Sequence, residues 1–205
     1  MSGEREGVIR YQCRLDRRAL PDDAAALAEI NRWREDMLRR GWMGRDPGRY
    51  EGLGFGNISL RRADGFLVSA TQTGGLPTLA MTNLALVTGA EPHRNRLTAV
   101  GLAEPSSEAM THAAVYLAEP GAGGIIHVHA PALWNAASTI GIPVTAASIP
   151  YGTPEMAAAI AALATAGHHL MAMGGHEDGL LAWDDTLEQA AAHLIHAAET
   201  PSAYR

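Results

Sequence analysis

A chain of 205 residues, 47% hydrophobic and 19% charged, is long enough to bury one sizeable core and too short for two ordinary domains. Sixteen basic residues against twenty-two acidic ones leave a formal charge of -6, which excludes the basic footprint of a nucleic-acid or anionic-membrane binder. All sixteen basic residues are arginine, so chemistry on a lysine amine is excluded: no lysine Schiff base, no lysine-linked pyridoxal phosphate, no P-loop lysine.

The N-terminus carries Glu4, Arg5, Glu6 and Arg10 and lacks a signal-peptide core, so a soluble cytoplasmic protein is expected. Residues 1–20 read as an N-terminal arm, with a short strand at 8–13, ahead of a single domain over 21–205. Cys13, the only cysteine, can form no internal disulfide and reads as a small packing residue. From Pro21 to about Arg40, Leu27, Ile30, Met37 and Leu38 recur near a helical period, with Arg32, Arg34, Glu35 and Arg39 between them. Residues 41–56 read as a Gly/Arg-rich loop. Strands are expected at 57–61, 66–70 and 85–88, with a glycine turn over Thr71–Pro77. Pro105-Ser106-Ser107-Glu108 predicts a helix start with serine as its cap, and Gly124–Ala130 a buried strand. Thr153-Pro154-Glu155 opens another helix. Strands at 170–173 and 180–183 flank a turn over Gly174–Gly179, and Asp185 with Glu188 starts a last helix. The irregular alternation predicts a three-layer α/β/α or α+β domain. The uncharged stretch from Gly121 to Pro154 holds His127, His129, Asn135 and internal prolines, which argues against a membrane span.

The chemistry concentrates at His127-Val128-His129. Residues two apart on a strand project from one face, which sets two imidazoles at chelating distance, and histidines in an uncharged strand are costly to bury unless something satisfies them. Hydrogen-bonded core histidines are the alternative. His176, flanked by Gly174, Gly175 and Gly179, is the natural third ligand for a catalytic divalent site. His93, His168, His169, His193 and His196 read as ordinary surface or packing residues. Ser106 and Ser107, with Gly74-Gly75 and Gly56-Asn57, suggest a cradle for a phosphate or carboxylate. Glu108 and His112 lie one turn apart, Glu108 being a candidate base or merely a first-turn acid.

These stretches, Gly56-Asn57-Ile58-Ser59, Phe66–Ser69 leading to Thr73-Gly74-Gly75, Pro105–Glu108 with His112, His127-Val128-His129, Tyr151–Glu155 and His176 with Gly179, come in an ordered set that resembles the class II aldolase/adducin family from about Ile30 to Ala198. The resemblance implies an α/β/α fold around a mostly antiparallel central sheet, commonly a homotetramer with active sites between subunits. It implies that His127, His129 and His176 bind a divalent metal, zinc first, with manganese, cobalt or iron as alternatives. Glu108 would be the acid/base, and Asn57, Gly74, Ser106 and Ser107 would hold the substrate's anion. The implied activity is a lyase of aldolase type, cleaving or forming a carbon–carbon bond through a metal-stabilised enediolate on a small hydroxy-ketone or sugar phosphate. Same-scaffold epimerase, decarboxylase or dehydratase chemistry, an oxygen-using enzyme, and a non-catalytic adducin-like binding module are the alternatives. The chain departs from the family pattern at three places. Glu177 replaces glycine after the third histidine, and is expected with Asp178 to face outward. The run between His129 and Tyr151 is short, leaving Tyr151 or Tyr204 to replace a tyrosine acid. Glu104 stands where a basic residue is common, so a carboxylate or an uncharged hydroxy-ketone joins phosphate among the expected substrates.

Overall fold

The computed structural model describes residues 7–199. In chain order the elements are β1 (Gln12–Asp16), α1 (Ala24–Arg39), β2 (Gly44–Arg45), β3 (Gly54–Phe55), β4 (Asn57–Arg62), β5 (Gly65–Ser69), β6 (Leu84–Glu91) and β7 (Arg96–Gly101). They continue as α2 (Ala109–Ala118), β8 (Gly124–His129), α3 (Pro131–Ile140), α4 (Pro154–Thr165), β9 (Leu170–Ala172), β10 (Gly179–Asp184) and α5 (Leu187–Glu199). Eight strands form one sheet in the order β1-β7-β6-β5-β4-β8-β10-β9, while β2 and β3 pair separately as a small hairpin. Every neighbouring pair in the large sheet is antiparallel except β1 with β7.

The alternation of side chains along the strands divides the interior into two cores. Ile58, Ile126, Val128, Leu180 and Ala182 point to the side covered by α1, α3 and α5. Val68, Ile125, Met171, Leu181 and Trp183 point to the other, under α2 and α4. The result is the expected three-layer α/β/α arrangement. All six residues of β8 are buried, because it is central to the sheet and covered on both faces. Cys13 packs at the margin of the α2/α4 core.

Several local expectations are corrected. The helix expected to open at Pro105 begins at Ala109, and no side chain caps it. Pro105 instead bridges to Ala70 as extended chain, Ser106 N donates to Ser69 O at 3.1 Å, and Tyr11 Oη lies 2.9 Å from the carbonyls of both Pro105 and Ser106. That tethering keeps both serines out of the helix. The last helix is capped by Thr186, whose Oγ1 accepts from Gln189 N at 3.2 Å, one residue after the expected Asp185. Thr153 does cap α4, accepting from Met156 N. Helix α3 and strand β7 carry no strong sequence signal, and the expected 41–56 loop contains the β2–β3 hairpin. Arg34 is buried, although it reads as polar among its neighbours; it shares the spacing of Ile30 and Met37 and lies on their face of α1.

Candidate metal centre and substrate cleft

His127 and His129 sit at the end of β8 and face the α2/α4 side of the sheet, the side of Ile125. The antiparallel partner of His127 on β4 is Asn57, and the partner of His129 on β10 is Gly179. A side chain at 179 would occupy the space of the His176 ring: a Cβ there would lie 2.6 Å from His176 Cδ2. The missing side chain therefore lets the 174–179 turn fold His176 back over the strand. That turn is closed by Met173 N donating to Gly179 O at 2.8 Å and by Gly179 N donating to His176 O at 3.0 Å.

The three imidazoles converge. Ring centroids are 5.0 Å apart for His127 and His129, 4.8 Å for His129 and His176, and 5.2 Å for His127 and His176. His127 Nδ1 lies 3.0 Å from Leu180 O and must donate its proton there, which leaves Nε2 as a lone pair. That Nε2 is 3.2 Å from His129 Nε2. Donors held tetrahedrally at about 2.05 Å from zinc stand roughly 3.3 Å apart, so the spacing suits two ligands of one ion. A carbonyl-anchored imidazole is also the usual outer support of a ligating histidine. One nitrogen from each of the three residues lies within 4.8 Å of the others. Burial pushes the His127 imidazolium down to about 4. Burial first, then neighbouring imidazoles, hold His129 and His176 well below the ordinary histidine value. All three are neutral near pH 7, the form a metal requires.

A polar cleft adjoins these imidazoles. Asn57, Gly74, Ser106 and Ser107 line one narrow concavity together with Gly54, Gly56 and Thr73. The four residues proposed from sequence to hold a substrate anion are thus together, and Asn57 links the cleft to His127 through the strand pairing. Asn57 Oδ1 is buried with no hydrogen-bond partner among the described residues. Arg34 fixes the floor: its guanidinium donates to Thr73 O and Gly74 O, each at 2.8 Å, and to Pro77 O at 3.3 Å. Burial lowers it to about 10, so it remains a cation that orders the glycine turn. The turn is pressed against β2 and β3, since a Cβ on Gly74 would meet Gly44 O at 2.6 Å.

Glu108 is fully buried at the start of α2, directly after the two serines, and Thr111 Oγ1 donates to its Oε2 at 2.5 Å. His112, one turn on, pins helix to sheet: its Nδ1 is 2.7 Å from Ser59 Oγ, which is 2.9 Å from Tyr116 Oη. Of the departures from the family pattern, Glu177 is exposed, as expected, but Asp178 is not. It accepts from Tyr50 Oη at 2.6 Å, and Arg49 donates to the same phenol at 2.7 Å. The Tyr50 ring stands edge-on to His129 at 4.7 Å. Burial first, then the bond to Asp178, raises the phenol far above its ordinary value and keeps it protonated. Tyr50 and Asp178 have φ of 47° and 63°, left-handed backbone of the kind stored at functional sites. Sequence reading missed Tyr50, and no local signal marks it. Tyr151 packs its ring on His176 at 4.5 Å, with Arg10 over the ring at 4.3 Å. Tyr204 lies outside the described residues.

A three-layer fold with a mostly antiparallel sheet, and a buried cluster of neutral histidines beside a polar cleft, defines a class of α/β proteins with the makings of a metal centre. The family described as "Class II Aldolase and Adducin N-terminal domain" matches residues 48–204, and the chain belongs to it. L-fuculose-1-phosphate aldolase from Thermus thermophilus is similar in structure at TM-score 0.68 and 20% identity, over 88% of this chain and 93% of that one. YgbL of Klebsiella pneumoniae, provisionally described as an aldolase/epimerase/decarboxylase, is similar at TM-score 0.65 and 22% identity, over 87% of each chain. A sugar-phosphate aldolase from Thermotoga maritima is similar at TM-score 0.56 and 16% identity, over 85% of this chain and 95% of that one. No curated protein sequence matches the chain. Among the described residues, no helix is long and apolar enough to cross a membrane.

Proposed function

We propose that this chain is a divalent-metal-dependent lyase of aldolase type acting on a small hydroxy-ketone or sugar phosphate. The observation that carries this reading is the pair of buried, neutral imidazoles with Nε2 atoms 3.2 Å apart, His127 anchored on Leu180 O, next to a cleft lined by Asn57, Gly74, Ser106 and Ser107. His127, His129 and His176 would hold the ion, with zinc the first choice for three nitrogen donors. Bound there, it would supply Lewis-acid polarisation of the substrate's carbonyl and adjacent hydroxyl oxygens.

The chain's own groups do the rest. Backbone N–H groups and hydroxyls of the Gly74 turn, Ser106 and Ser107, with the Asn57 amide, bind the phosphate or equivalent anion and fix which end of the substrate faces His127. Glu108, buried and oriented by Thr111, moves a proton to and from the substrate's reacting carbon or hydroxyl. Tyr50, held protonated, stands on the His129 side, where it would give a proton to the aldehyde oxygen when the carbon–carbon bond forms and hold that proton's place when it breaks. Neighbours of the same fold named as sugar-phosphate aldolases suggest this substrate class. A homotetramer in a cytoplasmic setting completes the reading.

The test is product release. Untagged protein supplied with zinc, cobalt or manganese is incubated anaerobically with L-fuculose 1-phosphate and related hydroxy-ketones, and carbonyl products are trapped. Metal-dependent release of two carbonyl fragments is expected, falling about 10²- to 10⁴-fold in Glu108→Gln, the range of a general acid/base. Solvent-deuterium exchange or inversion without cleavage would move the assignment to epimerase chemistry. Protein that binds none of these ions and turns over nothing would point to the binding module.

A further inference from the structure

A second set of converging ligands lies at the opposite end of β10. His169 immediately precedes β9, Asp184 ends β10, His193 is on α5, and Glu119 follows α2. Gly179, beside the first histidine cluster, and Asp184 are five strand residues apart, roughly 17 Å at about 3.3 Å per residue, so the two clusters cannot share an ion. One ligand atom from each of His169, Asp184 and His193 lies within 4.8 Å of the other two. His193 Nε2 is 2.7 Å from Asp184 Oδ2. His169 Nδ1 is 3.9 Å from that same oxygen and 3.9 Å from Glu119 Oε1. The two imidazoles are stacked nearly parallel, 13° apart with centroids at 5.4 Å.

Ordinary hydrogen bonding accounts for only part of this arrangement. The His193–Asp184 pair is explained by its contact. His169 Nδ1 is buried with no hydrogen-bond partner among the described residues. It faces two carboxylate oxygens, each too distant for a hydrogen bond and each at the separation that ligands of one cation adopt on closing slightly around it. The outer oxygens are already anchored. Asp184 Oδ1 accepts from Asp185 N at 2.8 Å, and Glu119 Oε2 accepts from the Trp183 indole N–H at 2.6 Å. Each carboxylate is thus turned so that its other oxygen faces the imidazoles, the outer support typical of ligating groups. The two carboxylates together supply the charge that a divalent ion would cancel. Mixed nitrogen and oxygen donors suit zinc, cobalt or manganese and exclude the soft, thiol-preferring metals.

We propose that His169, Asp184, His193 and Glu119 form a second divalent-metal site, separate from the histidine cluster at the cleft. Its ligands come from four places in the chain, so an ion there would clasp the far edge of the sheet to α5 and to the end of α2. The side chains are 18–35% exposed, which lets the ion enter directly from solvent. Its role is structural: none of its four ligands lines the substrate cleft.

The experiment counts ions. Untagged protein stripped with chelator is titrated with zinc alone and then with cobalt alone, as wild type, His127→Ala, His169→Gln and His193→Ala. Two ions per chain are expected in the wild type and one in each variant. Cobalt is also expected to quench tryptophan fluorescence in His127→Ala, because Trp183 touches the site through Glu119, and not in the double variant His127→Ala/His169→Gln. This readout keeps the test intact should His193→Ala fold poorly. One ion that is lost in His127→Ala and unaffected by His169→Gln overturns the second site and leaves the first standing. One ion with the reverse sensitivity upholds the second and removes the first. No ion in any form overturns both.

Discussion

Single side chains decide whether the cleft is a binding site or a reaction site, and Tyr50 is the sharpest case. Its phenol is fixed between Arg49 and Asp178, and its ring edge lies against His129. A neutral phenol in that place can hydrogen-bond the substrate oxygen that gains a proton when the carbon–carbon bond forms and loses it when the bond breaks. Tyr50→Phe should therefore lower kcat about 10²-fold, leave KM within about twofold, and retain the bound metal, because the ring packing survives and only the hydroxyl is lost. Steady-state kinetics with metal analysis would check this; a KM effect with unchanged kcat would make Tyr50 a binding residue. No sequence pattern exposes it, since its position depends on a left-handed backbone and on Asp178, 128 residues away. Arg34 is equally hidden by its charge. The spacing Ile30, Arg34, Met37 marks the buried face of a helix, yet an arginine there is readable only once the carbonyls of Thr73, Gly74 and Pro77 are seen to receive it. By contrast, the histidine pair is legible, because strand alternation alone places residues 127 and 129 on one face.

At the scale of elements, the turn that delivers His176 is held by close backbone approach. A Cβ at Gly175 would collide with Ile149 O, and one at Gly174 would collide with Thr145 O. Gly175→Ala must push the turn off the 145–149 segment. It should cost about 1–3 kcal/mol of stability and cut divalent-ion affinity at the cleft at least tenfold by displacing His176. Gly74→Ala, which presses the other turn into Gly44 O, should instead raise KM for the anionic substrate and leave the ion in place. Calorimetric metal titration beside KM measurement separates the two; equal metal affinity in both variants would refute the assigned division of labour. Elements with a dense local signal, such as α1, β8 and the Thr153-capped α4, are readable within a few residues. The start of α2 is not. A Pro-Ser-Ser-Glu run has the composition of a helix cap, but tertiary bonds from Ser69 and Tyr11 hold it extended. Those same bonds turn the two serines into cleft residues.

For the whole molecule, the layered architecture is legible from the alternation of elements, and the strand order is not. Pairing of β4 with β8, which brings Asn57 beside His127, joins segments about 70 residues apart, and no local propensity encodes it. The same long-range convergence makes the folded state the only one that assembles three histidines, so an ion that binds them stabilises that state alone. At a free-ion concentration about 1,000 times Kd the gain is about 4 kcal/mol. A chain of this size gains about 2–4 °C per kcal/mol, so zinc should raise Tm by roughly 8–16 °C over chelator-treated protein. Performed in His169→Gln, the measurement isolates the cleft, because the second proposed site is then absent. His127→Ala should abolish the shift in that background. If the chain is a tetramer, Tm should also fall on dilution, since subunit association is linked to folding by the same mass action. A Tm unmoved by zinc, while the same protein binds the ion, would mean that the histidines are equally accessible to metal in the unfolded chain, and the preassembled centre inferred from the 3.2 Å nitrogen pair would have to be given up.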